Sequence, residues 1–302
     1  MKFIDCNEYI KIEYESEFNF DHCMVYLDRS DIECMHRVKD NELYKLIKVD
    51  NILILFKVIA ENNAIKISFL NTIPTMLIKE KIARYVWSMF DLDTDIQQFY
   101  DKVKEDKILK ILINRYRGLR IIKINDLFEG LCWAIIGQQI NLKFAYTLKK
   151  RLVEKYGEKL TFEGINYFIF PTPDIISQIK VEDLRKLQFT KRKSEYLIGV
   201  AKLFDDGTIN KQKLLLQNDY KKIHNVLTSI RGIGNWTADY TILKCLNINC
   251  AFPIADAGIH NALKIILNTS EKPTLDEIRI MSENWQGWEA YATFYIWRYL
   301  YD

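Results

Sequence analysis

No glycine occurs in the first 117 residues of this 302-residue chain; all eleven lie at Gly118 or later. Tight turns in the first third must therefore use other residues that tolerate left-handed backbone, and Asn-Asn and Asp-Asn pairs stand in the expected places. Long apolar runs are also lacking. The most apolar stretch, "NILILFKVIA", is far shorter than the roughly 20 residues of a membrane span. The N-terminus, "MKFIDCNEYIKIEYE", has no apolar segment followed by small residues, so export is not expected and a cytoplasmic location is. No C-x-x-C occurs among Cys6, Cys23, Cys34, Cys132, Cys245 and Cys250. This scatter points to reduced thiols and gives no reason to expect a metal site.

Charge of either sign is nearly balanced at +3, but unevenly placed. Residues 1–33 carry nine acids against Lys2, Lys11 and Arg29, a balance of −6 that leaves +9 for the remainder. A basic remainder suits a polyanion, and a solvated surface explains a modest excess nearly as well.

The runs "EYIKIEYESEFNF", "NILILFKVIA" and "NAIKISFLN" read as strands, and "IPTMLIKEKIARYVWSMFDL" as a helix packed on their sheet. From about residue 95 the helical period takes over. "NDLFEGLCWAIIGQQINLKFAYTLKKRLVEKYG" gives two helices interrupted at Gly137-Gln138-Gln139, with Gly157 at the second one's C-terminus. Further helices follow "FPTP", and "CAFPIA" reads as β-like. The expected order is a small α+β domain followed by an all-helical body.

"SIRGIGNWTADY", residues 229–240, places Gly232 and Gly234 in a short turn between two helical runs. Glycine permits positive φ and close backbone approach, and the turn feeds a helix N-terminus whose free N–H groups attract anions. Asn235 is placed to cap that helix and Thr237 to add a hydroxyl contact to a phosphate. A plain αα turn explains the glycines about as well. Such a hairpin would grip DNA without reading its sequence. Downstream, "FPIADAGIHNAL" places Asp256 at a helix start, where N-capping is sufficient explanation of it in isolation.

Together these segments resemble the helix-hairpin-helix (HhH-GPD) DNA glycosylase superfamily, and within it the bacterial 3-methyladenine DNA glycosylase II branch. The resemblance runs in order through "FDLDTDIQQF", "GLRIIKINDLFEGLCWAIIGQQI", "YGEKL", "FPTPDII", "SIRGIGNWTADY", "FPIADAGIHNAL" and "WQGWEAYATFYIW", about the last two-thirds of the chain. It implies a mainly α protein, with an N-terminal α+β antiparallel-sheet domain over residues 1–98 ahead of an all-helical glycosylase body. One helical subdomain would comprise 99–127 with 249–302, and another 128–248 with the hairpin at 219–246.

The resemblance further implies a monofunctional enzyme of base excision repair that flips and hydrolytically releases alkylated purines of the 3-methyladenine and 7-methylguanine type. Asp256 would be the catalytic carboxylate, stabilising the oxocarbenium-like charge that builds on deoxyribose. Trp236, Tyr240 and Trp297 match base-pocket positions, and Trp285 and Trp288 are assigned to packing. Gln139 matches the wedge that fills the vacated stack, with Gln138 supporting its loop. Gly232, Ile233, Gly234, Asn235 and Thr237 form the DNA-binding set together with these two glutamines. Ala257 and Gly258 are small and are expected to widen the pocket. The lysine that bifunctional relatives carry two residues after the second hairpin glycine is absent, because Trp236 stands there. Lys244 reads as a surface residue. The four-cysteine iron–sulfur loop is missing as well, so no lyase step, metal or other cofactor is expected. The basic segment "TKRKSEY" reads as a phosphate contact or a solvated helix start.

The implied partner is damaged double-stranded DNA, bound by a monomer without a membrane. Two alternatives stay open: a glycosylase of the same fold for oxidised or deaminated purines such as 8-oxoguanine or hypoxanthine, and a non-catalytic hairpin protein.

Overall fold

The structure, a computed structural model, describes residues 1–15 and 17–302. Among them, six antiparallel strands form one sheet in the order β1-β2-β6-β5-β4-β3. They are β1 (Lys2–Asp5), β2 (Tyr9–Glu13), β3 (Arg37–Lys39), β4 (Glu42–Val49), β5 (Ile52–Glu61) and β6 (Ala64–Phe69). Three two-residue loops join consecutive strands, pairing Lys39 with Glu42, Val49 with Ile52 and Glu61 with Ala64. Both residues of each loop, Asp40-Asn41, Asp50-Asn51 and Asn62-Asn63, have φ between 47° and 64°. Two consecutive left-handed residues make the hairpin turn whose twist matches the strands, and Asp and Asn adopt it without glycine. That is how a glycine-free third folds into a sheet.

The first expected strand is shorter than its sequence run. β2 stops at Glu13, Ser16 lies outside the described residues, and the chain then forms α1 (Phe20–Leu27). Phe20, Cys23, Met24 and Leu27 recur at three- and four-residue spacing and are buried, and the Asn19 side chain accepts from His22 N–H. α2 (Met76–Met89) covers the sheet, burying Ile78, Ile82, Ala83, Val86 and Met89. Its buried Lys79 donates to Asp5 and to the Asn7 carbonyl, both over 2.7 Å.

Helices dominate thereafter. α3 (Ile96–Val103) and α4 (Leu109–Arg115) pack with the C-terminal helix, α15 (Glu289–Arg298), and Tyr100 Oη lies 3.0 Å from Tyr295 Oη. α5 (Leu127–Gly137) and α6 (Leu142–Tyr156) are separated at residues 138–141, as the glycine and glutamines suggested. A two-stranded hairpin then interrupts the helices: β7 (Glu158–Phe162) and β8 (Ile165–Ile169). Its Tyr167 packs with Leu46 and Leu55 on the sheet's other face. The short α7 (Pro173–Ser177) and α8 (Val181–Lys186) lead to α9 (Lys191–Asp205) and α10 (Lys211–Leu215). The helix-hairpin-helix is α11 (Tyr220–Thr228) and α12 (Asn235–Cys245), followed by α13 (Ala257–Ile266) and α14 (Leu275–Met281). "CAFPIA" is not a strand but a bent connection, folded back by the Asp256 N–H donating to the Pro253 carbonyl over 2.8 Å.

One buried apolar core runs from the sheet through α1 into the helices. α1 is the joint: Tyr26 packs on Phe294 at 4.5 Å between centroids, and Asn19 N–H donates to the Gly118 carbonyl. Gly118 has φ +83°, and a Cβ there would sit 2.7 Å from the Asn19 nitrogen, so this crossing requires glycine. Arg120, fully buried, donates to the carbonyls of Glu17, Asp91 and Thr94.

Candidate active site

Asp256 is the N-cap of α13. Its Oδ1 accepts from Gly258 N–H at 2.8 Å and Ile259 N–H at 3.2 Å, satisfying two amides that the helix leaves unpaired. The capping explanation is therefore correct as far as it goes. It does not exhaust the carboxylate. Trp297 Nε1 donates to the same Oδ1 over 2.8 Å, and Trp236 Nε1 donates to Oδ2 over 2.8 Å. Four N–H donors from three helices thus hold one half-buried carboxylate at a fixed angle.

The aromatic residues form a continuous wall. Trp236 stacks on Tyr240 at 5.5 Å between centroids and 29° between planes, and Tyr240 lies 5.9 Å from Trp297. Their four-residue spacing on α12 puts Trp236 and Tyr240 on one face. Trp133 Nε1 donates to Tyr240 Oη over 2.8 Å, and burial pushes that phenol well above its ordinary value, so it stays neutral. Trp133 was not singled out in the sequence; its only signal is a position on α5 just ahead of the Gly-Gln-Gln break. Trp285 is fully buried and donates to Asp106, while Trp288 packs on Phe99 at 5.9 Å, as assigned.

The hairpin is braced from inside. Tyr220 on α11 donates to Asp239 on α12 over 2.6 Å. Gly232 has φ +95°, and a Cβ there would fall 2.3 Å from the Tyr196 ring. Gly234 is exposed, with open space where a Cβ would go, and no side chain caps the start of α12. The first amides of that helix therefore face outwards next to an unobstructed turn, which is the geometry an anionic phosphodiester needs.

Five expectations need correction. Asn235 does not cap α12; Gly234 occupies the cap position and Asn235 is the first helical residue. Thr237 does not face a phosphate: it is buried, and its Oγ1 accepts from Gln138 Nε2 over 2.9 Å. Ile233 is likewise buried, leaving only its backbone to the turn's surface. Gly258 does not widen the pocket, because a Cβ on it would lie 3.2 Å from the Trp297 indole and 2.8 Å from Asp256 Oδ1; glycine lets Trp297 reach the carboxylate. Lys244 is not at the surface. It is buried, it donates to the Ile122 carbonyl, and desolvation together with Arg29 and Lys123 holds its amine well below the ordinary lysine range.

The loop between α5 and α6 is tied to the hairpin. Gln138 Nε2 donates to the Gly232 carbonyl as well as to Thr237, both over 2.9 Å. Gln139 is exposed with φ +53°, projecting beside that tie. Beneath them Lys193 donates to the Ile136 carbonyl over 2.6 Å, and burial lowers its amine to about 8. Within the basic segment "TKRKSEY", Thr190 caps α9 and Lys193 and Ser194 are buried, so these three of its seven residues are structural. Among the described residues no cluster of three metal-ligating side chains occurs.

The helix-hairpin-helix and the Asp256 segment both lie within the stretch that the family comparison matches. The model for the HhH-GPD superfamily base excision DNA repair protein matches residues 132–289, and that for the AlkA N-terminal domain matches residues 9–126. The chain belongs to the HhH-GPD superfamily. Within it the chain falls in the DNA-3-methyladenine glycosylase branch. It is 41% identical to the DNA-3-methyladenine glycosylase of Bacillus subtilis (strain 168) over the whole of both chains. It is 29% identical to DNA-3-methyladenine glycosylase 2 of Escherichia coli (strain K12), over 60% of each chain. The fold matches the solved 3-methyladenine DNA-glycosylase from Archaeoglobus fulgidus with a TM-score of 0.82 at 24% identity, covering 96% of this chain and 97% of that one. The sheet domain is thus an AlkA N-terminal domain, and the body is the HhH-GPD module. Among the described residues no helix is long and apolar enough to cross a membrane.

Proposed function

We propose that the protein is a monofunctional DNA glycosylase that binds damaged duplex DNA as a monomer and releases alkylated purines. The observation that carries the reading is the 2.8 Å bond from Trp236, on the hairpin's own helix, to Asp256: grip and carboxylate are built as one unit. With the hairpin amides on the backbone, Gln139 enters the vacated stack while Gln138 anchors its loop, offsetting the few kcal/mol that extrusion costs. The flipped base enters against Trp236, Tyr240 and Trp297. Their π faces attract a base that carries positive charge, such as 3-methyladenine or 7-methylguanine, by about 2 kcal/mol when desolvated.

As the glycosidic bond lengthens, positive charge grows on the sugar. Asp256, already oriented by four N–H groups, stabilises that charge without reorganising and assists the water that adds to C1′. A cationic base leaves as a neutral molecule, so no acid need protonate it. Strand cleavage would need an amine at the sugar. Trp236 fills the position where a lysine would stand, and Lys244 is committed to the Ile122 carbonyl inside the core.

The test is Asp256→Asn. Asparagine keeps an oxygen for Gly258 and Ile259, so folding and duplex binding should persist while release of 7-methylguanine from methylated DNA falls by about 100-fold or more. Undiminished release by that variant would overturn the assignment.

A further inference from the structure

Against Tyr240 the fold leaves a second, partly open space. A cavity of about 60 Å³ is lined by residues of the sheet domain and of the body together, among them Tyr26, Arg29, Glu33, Trp133, Lys149 and Tyr240. It is too small for a purine and large enough for one edge of it, or for a few waters. Tyr240 is the shared wall, with Trp236 and Trp297 packed around its ring and the cavity also against it.

The cavity is rich in cations, and all but one are committed. Lys149 is paired with Glu33 at 2.6 Å, and Lys45 donates to the Met35 carbonyl over 3.0 Å. Lys244 donates to the Ile122 carbonyl, and Lys123 to that of Leu243. Arg29 differs. Its guanidinium lies 3.9 Å from the Tyr26 ring centre and 5.7 Å from that of Tyr146, and it makes a single hydrogen bond, from Nη1 to the Tyr26 carbonyl over 2.6 Å. Among the described residues it is the cation of this cavity with most of its N–H donors unused. Stacking holds the plane in place, so those donors are aimed rather than free to wander. Tyr26 in turn packs on Phe294 at 4.5 Å between centroids, and Phe294 lies 6.5 Å from Trp297, so the guanidinium sits on the aromatic layer next to the reacting centre.

We propose that Arg29 is a specificity-determining residue of the base pocket, donating to a carbonyl or ring-nitrogen acceptor on the inner edge of the extruded base. The inference rests on the glycosylase reading and deepens it. A fixed guanidinium rewards a neutral purine with an acceptor edge, such as hypoxanthine, and penalises a base that arrives already positive. The aromatic wall pulls the other way, favouring the cation. The two together give an enzyme that handles both classes, with Arg29 setting the balance between them.

Single-turnover release of hypoxanthine and of 7-methylguanine from otherwise identical duplexes, by wild type, Arg29→Gln and Arg29→Lys, tests the assignment. Arg29→Gln should lower the hypoxanthine to 7-methylguanine rate ratio by about tenfold or more, mostly through slower hypoxanthine release. Arg29→Lys keeps the charge and loses the fork, so it should restore the ratio only in part. A role confined to packing Tyr26 would slow both substrates alike and lower the melting temperature. An unchanged ratio, or wild type that releases 7-methylguanine but no hypoxanthine, overturns the role of Arg29 and leaves the glycosylase reading standing. Wild type that releases neither base removes both.

Discussion

The indole N–H of Trp236 donates to Asp256 Oδ2 over 2.8 Å, joining two residues twenty positions apart on successive helices. Because Oδ1 already accepts from Gly258, Ile259 and Trp297, this bond is what fixes the second oxygen. Trp236→Phe keeps a ring to stack on Tyr240 and removes only the donor. The expected outcome is a drop of roughly 10- to 100-fold in the single-turnover rate of base release, with duplex affinity little changed. Equal rates would show that the bond orients nothing of consequence to the chemistry.

Gly232 should tolerate no side chain. Both its φ of +95° and the Tyr196 ring, 2.3 Å from where a Cβ would sit, stand against alanine. Gly232→Ala should weaken binding to undamaged duplex severalfold, because the turn must shift away from the backbone it grips. Combining it with Tyr196→Ala relieves the contact and not the φ strain, so affinity should return only in part. Titrations across salt concentration supply the check, since lost phosphate contacts flatten the salt dependence.

The wedge loop and the hairpin should act together through Gln138. Gln138→Ala removes both donations from its Nε2, to the Gly232 carbonyl and to Thr237 Oγ1, and leaves two part-buried acceptors unmatched. A stability loss of about 1–3 kcal/mol in urea is expected, together with weaker capture of a duplex holding an abasic-site analogue. The same change at exposed Gln139 should spare stability and impair capture alone. Similar melting curves for the two variants would contradict this division of labour.

The parts of the site that were legible in the sequence are those where local backbone chemistry and function coincide. Asp256 sits where a capping acid must sit, and Gly232 where φ must be positive, so each leaves a trace in its immediate neighbours. Three strands of the sheet, β2, β5 and β6, were legible in the same way, with Asp and Asn at the turns; β1, β3, β4 and α1 were not. α12 was not. Thr237, Asp239, Thr241 and Lys244 are buried on it beside Ile242 and Leu243, so the helix is enclosed on nearly every side and its pattern does not show which face is the surface. This is why Thr237 and Lys244 were misplaced. The contribution of the turn after α1 was hidden differently: Arg29 reaches the cavity across more than 200 residues of sequence, and only tertiary packing brings it beside Tyr240.

Acid should loosen the joint between the sheet domain and the body. Burial alone would raise the Glu33 carboxyl, but Lys149, His36 and the Met35 N–H hold it far below the usual carboxylate range. Burial lowers His36 from its ordinary 6.5 to about 4, while its Nε2 lies 3.0 Å from the Leu27 carbonyl. For both groups the folded protein binds fewer protons than the unfolded chain at mildly acidic pH, so stability is full above about 6.5 and declines as pH falls. The His36 share is lost between 6.5 and 4, and that of Glu33 only below its ordinary value of 4.5. Glu129, raised by burial, works in the opposite sense and softens the fall. The unfolding free energy measured in urea from pH 7 to pH 5 should therefore decrease for the wild type, by at most about 2 kcal/mol. His36→Asn should flatten that slope. Glu33→Gln, which strands the Lys149 ammonium, should instead cost about 3–5 kcal/mol at pH 7 and leave the slope above pH 5 in place. A His36→Asn protein with the wild-type slope would show that some other group senses the proton.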